Sequence, residues 1–355
     1  MTTVSDDAVR WPEILTRLLH GTDLDEATAR AVMGELMRGE TEPAQVAGLL
    51  VALRAKGEAA TEIAGFVQGM LDAAEPIELD PRIGARLVDT CGTGGDGAGT
   101  FNVSTVAALV VAAAGVPVAK HGNRAASGTC GSADLLEAWG IQIELRPPAV
   151  ATCVSELGIG FLYARSFHPA MRYVAPVRVL LGIRTAFNML GPLSNPAGAP
   201  HQVVGVPDAT LAPVMADALA RLGKRHALVV RGDDGLDELT TVGPSHLWEV
   251  RDGRVTQWTL DPTTLGIAPA VRADLLGGSV EDNVAIADEV LSGIPGPRAD
   301  IVALNAAAAL YVAGAADDLG AGLALARDTL VSGAAAELRD RWVTRSKELA
   351  AAERG

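Results

Sequence analysis

Apolar positions along the chain follow two rhythms. From Trp11 to about Ala74 they recur at helical spacing, and no alternating run interrupts them. This predicts four short helices, over about 11–20, 25–38, 42–56 and 59–73. Asp23, followed three residues later by Glu26, has the form of a capping box, and Thr41 before Glu42-Pro43 is a second start signal. Glu75 to Pro81 reads as a linker. From Arg86 onward, short apolar runs alternate with helical stretches. Strands are predicted over Leu87–Cys91, Val116–Lys120, Ile141–Leu145 and Ile159–Tyr163, separated by helices over Val103–Ala114, Ser132–Trp139 and Pro148–Leu157. Residues 168–191 break the rhythm: one helix over Ala175–Leu190 with no strand before it, expected to pack back on the N-terminal helices. Strand Gln202–Val206, helix Leu211–Leu222 and strand Ala227–Val230 resume the alternation, and Asp252-Gly253 marks a hairpin. From Ser279 the chain is Ala-rich helix.

The expected fold class is therefore α/β, with a small N-terminal helical domain and a large α/β domain whose central, mostly parallel sheet is flanked by helices. The expected division is 1–80 for the helical domain, joined in space by about 170–200, and 81–355 for the α/β domain.

Composition narrows the class. Hydrophobic residues make up 49% of the 355 and aromatics only 4%, so Ala, Val and Leu must build the core. A net charge of −14 argues against nucleic-acid binding, which calls for a basic face, and any phosphate must be held by a local cluster against the overall field. Three cysteines without CxxC spacing fit a reducing cytoplasm and neither a disulfide framework nor a zinc site. The N-terminus is acidic and polar, unlike a signal peptide, and the longest apolar run, Val106 to Ala119, is too short to span a membrane.

Four stretches carry candidate chemistry. Asp89 to Thr105 reads DTCGTGGDGAGTFNVST, with five glycines between a predicted strand and a helix start. Glycine lets backbone N–H groups approach a ligand closely, and strand, glycine loop and helix N-terminus together suit phosphate. The loop is neither GxGxxG nor GxxxxGK[S/T]. Asp96 in its middle and the hydroxyl-rich Asn102 to Thr105 suit a sugar diphosphate with a metal ion better than a nucleoside triphosphate. The alternative is a tight turn with no ligand. The second stretch, Lys120 to Ser132 (KHGNRAASGTCGS), also follows a strand and should open on the same sheet edge. Lys120, Arg124, Ser127 and Ser132 could wrap a polyphosphate there, or form a solvated loop capped by Ser132. The third, Arg231 to Thr240, holds adjacent carboxylates Asp237 and Glu238, which suit Mg²⁺ but also an ordinary acidic turn made by Asp233, Asp234 and Gly235. The fourth is Arg178, an arginine among Val177, Val179, Leu180 and Leu181 with Arg184 six residues on. Periodicity alone favours snorkelling to solvent over a reserved carboxylate site. His168 is equally ambiguous.

Taken together and in order, CGTGGDG at 91–97, NVST at 102–105, KHGNR at 120–124, GSAD at 131–134, NMLGPLSNP at 188–196 and GLDE at 235–238 are specific. Over nearly its whole length the chain resembles the anthranilate phosphoribosyltransferases. That resemblance implies a fold shared with pyrimidine nucleoside phosphorylases, a homodimer joined through the helical domain, and transfer of a phosphoribosyl group from phosphoribosyl pyrophosphate (PRPP) to anthranilate in the second step of tryptophan biosynthesis from chorismate. It implies PRPP contacts from Gly92, Gly95, Asp96, Thr100, Asn102, Val103, Ser104, Thr105, Lys120, His121, Gly122, Asn123, Arg124, Ala125, Ala126, Ser127, Gly128 and Ser132. It implies anthranilate contacts from Gly92, Asn123 and Arg178, the last through the carboxylate, and one or two Mg²⁺ ions on Ser104, Asp237 and Glu238. Two departures stand out: residues 125–130 read AASGTC where a serine-rich stretch is more usual, and Arg231 replaces a common His. A nucleoside phosphorylase is the nearest rival and a noncatalytic nucleic-acid-binding relative a second. Phosphorolysis of thymidine without use of PRPP would favour the first, and a salt-sensitive gel shift the second.

Overall fold

A computed structural model describes residues 9–125 and 129–354. Four helices open the chain: α1 (Trp11–Leu19), α2 (Glu26–Arg38), α3 (Pro43–Lys56) and α4 (Ala60–Asp72). Asp25, not Asp23, caps α2, its Oδ1 accepting the Thr28 N–H at 2.8 Å. Asp23 instead meets the Lys56 ammonium at 2.5 Å. Lys56 also reaches the fully buried Glu62 at 3.0 Å. Glu62 accepts the backbone N–H groups of Leu24 at 3.0 Å and Ala59 at 2.8 Å, so one carboxylate ties together the starts of α2 and α4.

The remaining elements are α5 (Pro81–Gly84), β1 (Val88–Gly92), α6 (Val103–Ala113), β2 (Val118–Gly122), α7 (Ser132–Ala138), α8 (Pro147–Leu157), β3 (Ile159–Tyr163) and α9 (Ala164–Phe167). They continue with α10 (Ala175–Leu181), α11 (Phe187–Leu193), β4 (His201–Gly205), α12 (Leu211–Arg221), β5 (His226–Gly232), β6 (Ser245–Arg251) and β7 (Arg254–Leu260). Helices α13 (Val280–Leu291), α14 (Pro297–Val312), α15 (Leu319–Val331) and α16 (Ala334–Arg354) close the chain. The seven strands lie in the order β3-β2-β1-β4-β5-β6-β7. The first five are parallel, and β6 and β7 add an antiparallel hairpin through Asp252-Gly253. The small helical domain and the larger α/β domain agree with the expected fold class.

Strand alternation sends the two sheet faces into different cores. Val203, Leu228 and Val230 join α6, α14 and α15 on one face. Val204, Ala227 and Val229 join α12, α11 and the N-terminal helices on the other. The order reverses at β1, which has β2 on one side and β4 on the other. Parallel sheets gather ligands at the carboxyl ends of strands beside such a reversal.

Three further expectations are corrected. Ile141–Leu145 is not a strand: Ile141, Ile143 and Leu145 are buried, but the backbone is taken up by side chains of α16, Gln142 N–H donating to Ser346 Oγ at 3.1 Å and Arg146 N–H to Glu353 Oε1 at 3.0 Å. Beyond β2 the sheet position is filled by β3. The single helix expected over Ala175–Leu190 is two, because Gly182 (φ 62°) ends α10 in the left-handed conformation and α11 starts five residues later. Strand β2 begins two residues later than expected, which moves Lys120 from the strand's end to its middle.

Replacing Glu62 by Ala should lower unfolding free energy by about 3–5 kcal/mol, since it orphans the buried Leu24 amide and leaves the Lys56 ammonium without its buried partner. Chemical denaturation reads this directly; a loss under about 1 kcal/mol would contradict it.

Candidate active site

The reversal point is roofed by Asp237. Gly92 ends β1 and pairs in register with Gly205, which ends β4. A Cβ on Gly92 would run into the Asp237 carboxylate, and one on Gly205 into the Asp237 backbone. Two glycines therefore let the loop after β5 lie flat across the strand ends. Asp237 Oδ2 accepts the Gly94 N–H at 2.7 Å. Glu238 Oε1 accepts the Ser104 N–H at 3.2 Å, at the start of α6. Asn102 supplies no side-chain cap there, so a carboxylate from a distant segment does that work.

Lys120 brings the second strand-end loop to the same place. It is 2% exposed, and its ammonium donates to the Thr90 carbonyl at 2.5 Å and to Ser104 Oγ at 3.4 Å. On the neighbouring strand Asp89 is fully buried, accepting the His121 N–H at 3.2 Å and the Gln202 amide at 3.3 Å. Burial pulls the Lys120 ammonium below its ordinary value and pushes the Asp89 carboxyl up, each opposed by the other's charge.

The acidic pair is perturbed further. Burial, then the neighbouring Asp96, pushes the Asp237 carboxyl up to about 7. Burial, then Asp237 itself, pushes Glu238 up to about 8. Two carboxylates and the Ser104 hydroxyl make an oxygen donor set of the kind Mg²⁺ takes, with water and phosphate oxygens filling the shell. No three His, Cys, Asp or Glu side chains are grouped as a metal cage among the described residues, so a cation here would depend on ligand oxygens.

The motif NMLGPLSNP acts as a clasp. The His121 Nδ1 lies 3.2 Å from the Gly191 carbonyl and the His168 Nε2 lies 2.9 Å from the Ser194 carbonyl. Gln202 donates to the Pro192 carbonyl at 2.6 Å, and Asn195 to the Ala119 carbonyl of β2 at 2.8 Å. A carbonyl only accepts, so Nδ1 of His121 carries its proton and its buried Nε2 is a lone-pair acceptor without a partner among the described residues. Burial holds His121 down to about 3 and His168 to about 4, keeping both rings neutral. Arg178 on α10 lies over the Phe187 ring, 5.1 Å from its centroid. Burial lowers its guanidinium's proton affinity, and it has no carboxylate partner among the described residues.

Other candidates are placed less centrally. Asn123 and Arg124 are exposed; Arg124 pairs with Glu137 at 2.8 Å and lies 5.8 Å from the centroid of the Tyr163 ring. Ser132 Oγ donates to the Asn123 carbonyl at 3.1 Å, and the Ala125 N–H to Asp134 at 3.0 Å. Asn102 donates to the Cys130 carbonyl at 3.1 Å, and Thr100 bridges to Leu276. Val103 and Thr105 are buried in the first turn of α6. Ala126, Ser127 and Gly128 lie outside the described residues. Arg231 donates to the Pro207 carbonyl at 2.9 Å and supports the loop after β4.

Several residues have structural roles that the chain's pattern did not assign. Asn305 on α14 is buried, accepting the Leu239 N–H at 3.0 Å and donating to the Leu239 carbonyl at 2.9 Å. It anchors the residue after Glu238. A lone Asn in an Ala-rich helix was the available signal. Asp89 and Arg184 gave none.

Comparison with known proteins follows the same outline. Residues 12–74 match the family model described as "glycosyl transferase family, helical bundle domain", and residues 84–336 match "glycosyl transferase family, a/b domain". The class is thus a glycosyl transferase. An anthranilate phosphoribosyltransferase of Solibacter usitatus is 53% identical over 321 residues, 90% of this chain and 94% of its own. The crystal structure of anthranilate phosphoribosyltransferase from Thermus thermophilus has a TM-score of 0.89 at 49% identity, covering 94% of this chain and 99% of that one. The Saccharomyces cerevisiae enzyme in complex with PRPP and Mg has a TM-score of 0.86 at 26% identity, covering 95% and 98%. The chain belongs to the anthranilate phosphoribosyltransferase family.

Two outcomes follow. Asn305→Ala leaves the Leu239 amide and carbonyl buried and unpaired and should lower unfolding free energy by roughly 1–3 kcal/mol per orphaned group, read by thermal or chemical denaturation. Raised carboxyl values set the sign of a pH effect. Between the ordinary carboxylate range and about 7–8 the folded protein holds protons that the unfolded chain has released, so metal-free stability should fall as pH rises through that window. Apparent Mg²⁺ affinity should climb over the same window as the pair ionises; a flat titration between about pH 6 and pH 8 would contradict this.

Proposed function

We propose that this chain transfers the phosphoribosyl group of PRPP to the amine of anthranilate, releasing pyrophosphate and giving N-(5-phosphoribosyl)anthranilate. The observation that carries the reading is the meeting of three segments: Gly94 N–H on Asp237, Ser104 N–H on Glu238, and the Lys120 ammonium on Ser104 Oγ. Glycine loop, helix start and acidic loop then address one small molecule carrying several negative charges.

The neutral aromatic amine is already a nucleophile, so no strong base is required. The demanding event is cleavage of the C1–O bond, with oxocarbenium character at the sugar. The chain's part is to hold the departing diphosphate, through the free amides of the glycine loop, the start of α6 and Lys120. Residues Gly92, Gly95, Asp96, Thr100, Asn102 to Thr105, Lys120 to Gly128 and Ser132 are proposed for PRPP. Ser104, Asp237 and Glu238 are proposed to hold Mg²⁺, one ion or two, which would neutralise diphosphate charge when bound. Arg178, a guanidinium with no anionic partner among the described residues, is proposed to take the anthranilate carboxylate, with Gly92 and Asn123 beside it.

The proposed domain division is 1–80, with 170–200 packed against it, and 81–355. Helix α10 lies against α3 and α11 against α4. Val179 (79%) and Leu180 (86%) on α10, Val51 on α3 and Leu19 on α1 are exposed apolar side chains on the helical side, which supports a homodimer through it. Three free thiols, two of them buried, are compatible with a reducing cytoplasm, and no helix among the described residues is long and apolar enough to cross a membrane.

The test is loss of anthranilate fluorescence with PRPP, with and without Mg²⁺. Turnover that needs both is expected; phosphorolysis of thymidine with no use of PRPP would sink the proposal. Arg178→Ala should raise KM for anthranilate about 10-fold or more, the worth of one charge-assisted contact, with KM for PRPP little changed.

A further inference from the structure

The glycine loop has almost no hydrogen bonds of its own. Gly94, Gly95 and Gly97 all take positive φ (66°, 75° and 65°). Among the described residues no backbone-to-backbone bond involves residues 94–98. Side chains hold it instead. Asp237 takes the Gly94 N–H at 2.7 Å. On the carbonyl side, Arg184 Nη1 donates to Gly94 O at 3.0 Å and to Gly95 O at 3.1 Å. These are the only partners of those two carbonyls among the described residues. Any Cβ on Gly95 would meet the same guanidinium.

A trans peptide is planar, with its C=O and N–H on opposite sides. Drawing the carbonyls of Gly94 and Gly95 onto Arg184 therefore turns the N–H groups of Gly95 and Asp96 the other way. Neither N–H has an acceptor among the described residues. Two neighbouring amides held free in this manner make an anion nest. We infer that Arg184 is a positioning residue that sets these two amides to receive the diphosphate of PRPP, an inference that rests on the substrate reading above.

Its place in the chain gives this a second consequence. Arg184 follows α10, two residues beyond its Gly182 cap, and precedes α11, the helices that carry Arg178 and the Phe187 ring beneath it. The segment proposed for the acceptor thus reaches across to hold the loop proposed for the donor. Arg184 also lines the cavity of about 360 Å³ between that loop and the helical side, with Arg54, Glu58 and Asp208.

The experiment compares wild type, Arg184→Ala and Arg184→Lys by calorimetric titration with Mg²⁺ and PRPP, steady-state kinetics, and unfolding without ligand. Arg184→Ala should weaken PRPP binding roughly tenfold or more, the scale of losing charge-assisted bonds. KM for anthranilate at saturating PRPP and the unfolding midpoint should stay close to wild type. Arg184→Lys should recover part of the PRPP affinity, because an ammonium can still bond a carbonyl but lacks the fixed fork. PRPP affinity within about twofold of wild type in Arg184→Ala, or equal loss for both substrates with a lowered midpoint, would overturn the assignment. A wild-type chain that binds no PRPP refutes the substrate reading instead; inorganic pyrophosphate, titrated in parallel with Mg²⁺, then decides whether Arg184 still governs the loop.

Discussion

Two adjacent carboxylates, Asp237 and Glu238, sit partly out of water over the ends of β1 and β4, and the site is arranged around that uncomfortable charge. Left alone, such a pair would stay protonated. The chain answers from three other segments: the Gly94 amide and the Ser104 amide at the start of α6 donate to the pair, and the charge of the Lys120 ammonium next to Ser104 favours ionised Glu238. These donors only partly offset burial and mutual repulsion, since both carboxyls remain well above the ordinary carboxylate range. That residual deficit is what the proposed dication would relieve at the carboxylates, while the proposed diphosphate would take up the free amides of the loop.

Against a net charge of −14, attraction for an anionic substrate has to be local. The cations proposed to supply it come from separate parts of the fold. Lys120 rises from the middle of a buried strand and is steadied by Asp89 behind it. Arg178 and Arg184 come from the broken helix pair on the helical side. Arg178 is half-buried with no carboxylate partner among the described residues, while Arg184 donates to loop carbonyls. Similar residue types a few positions apart thus do different work, according to what each one faces.

Boundaries and element types were readable where local signals agreed with the environment. The hairpin at Asp252-Gly253 and the four N-terminal helices are examples. Ile141–Leu145 has the alternation of a strand, yet α16 offers its backbone side-chain partners and the sheet has closed that edge with β3. Alternation reports which residues are buried, not which neighbour receives the backbone. Gly182 lies inside the single helix expected over Ala175–Leu190; its left-handed conformation splits α10 from α11 and places Arg184 in the gap.

The glycine loop, the hydroxyl-rich helix start, the acidic pair and the basic loop after β2 could all be recognised from residues close together in the chain, because phosphate and Mg²⁺ chemistry is written in short runs of glycine, hydroxyl and carboxylate. That the two strand-end loops share one sheet edge could be read as well; the atom-to-atom pairings could not. Asp237 lies 143 residues from the amide it accepts, Glu238 lies 134 residues from its own, and Arg184 and Asn305 act through backbone groups that carry no side-chain signature. Those pairings come from strand order and from the flat glycine contacts at Gly92 and Gly205, where the chain reverses across the sheet. Charges gain or lose their meaning there through distance and exclusion of water, and both are properties of the folded packing.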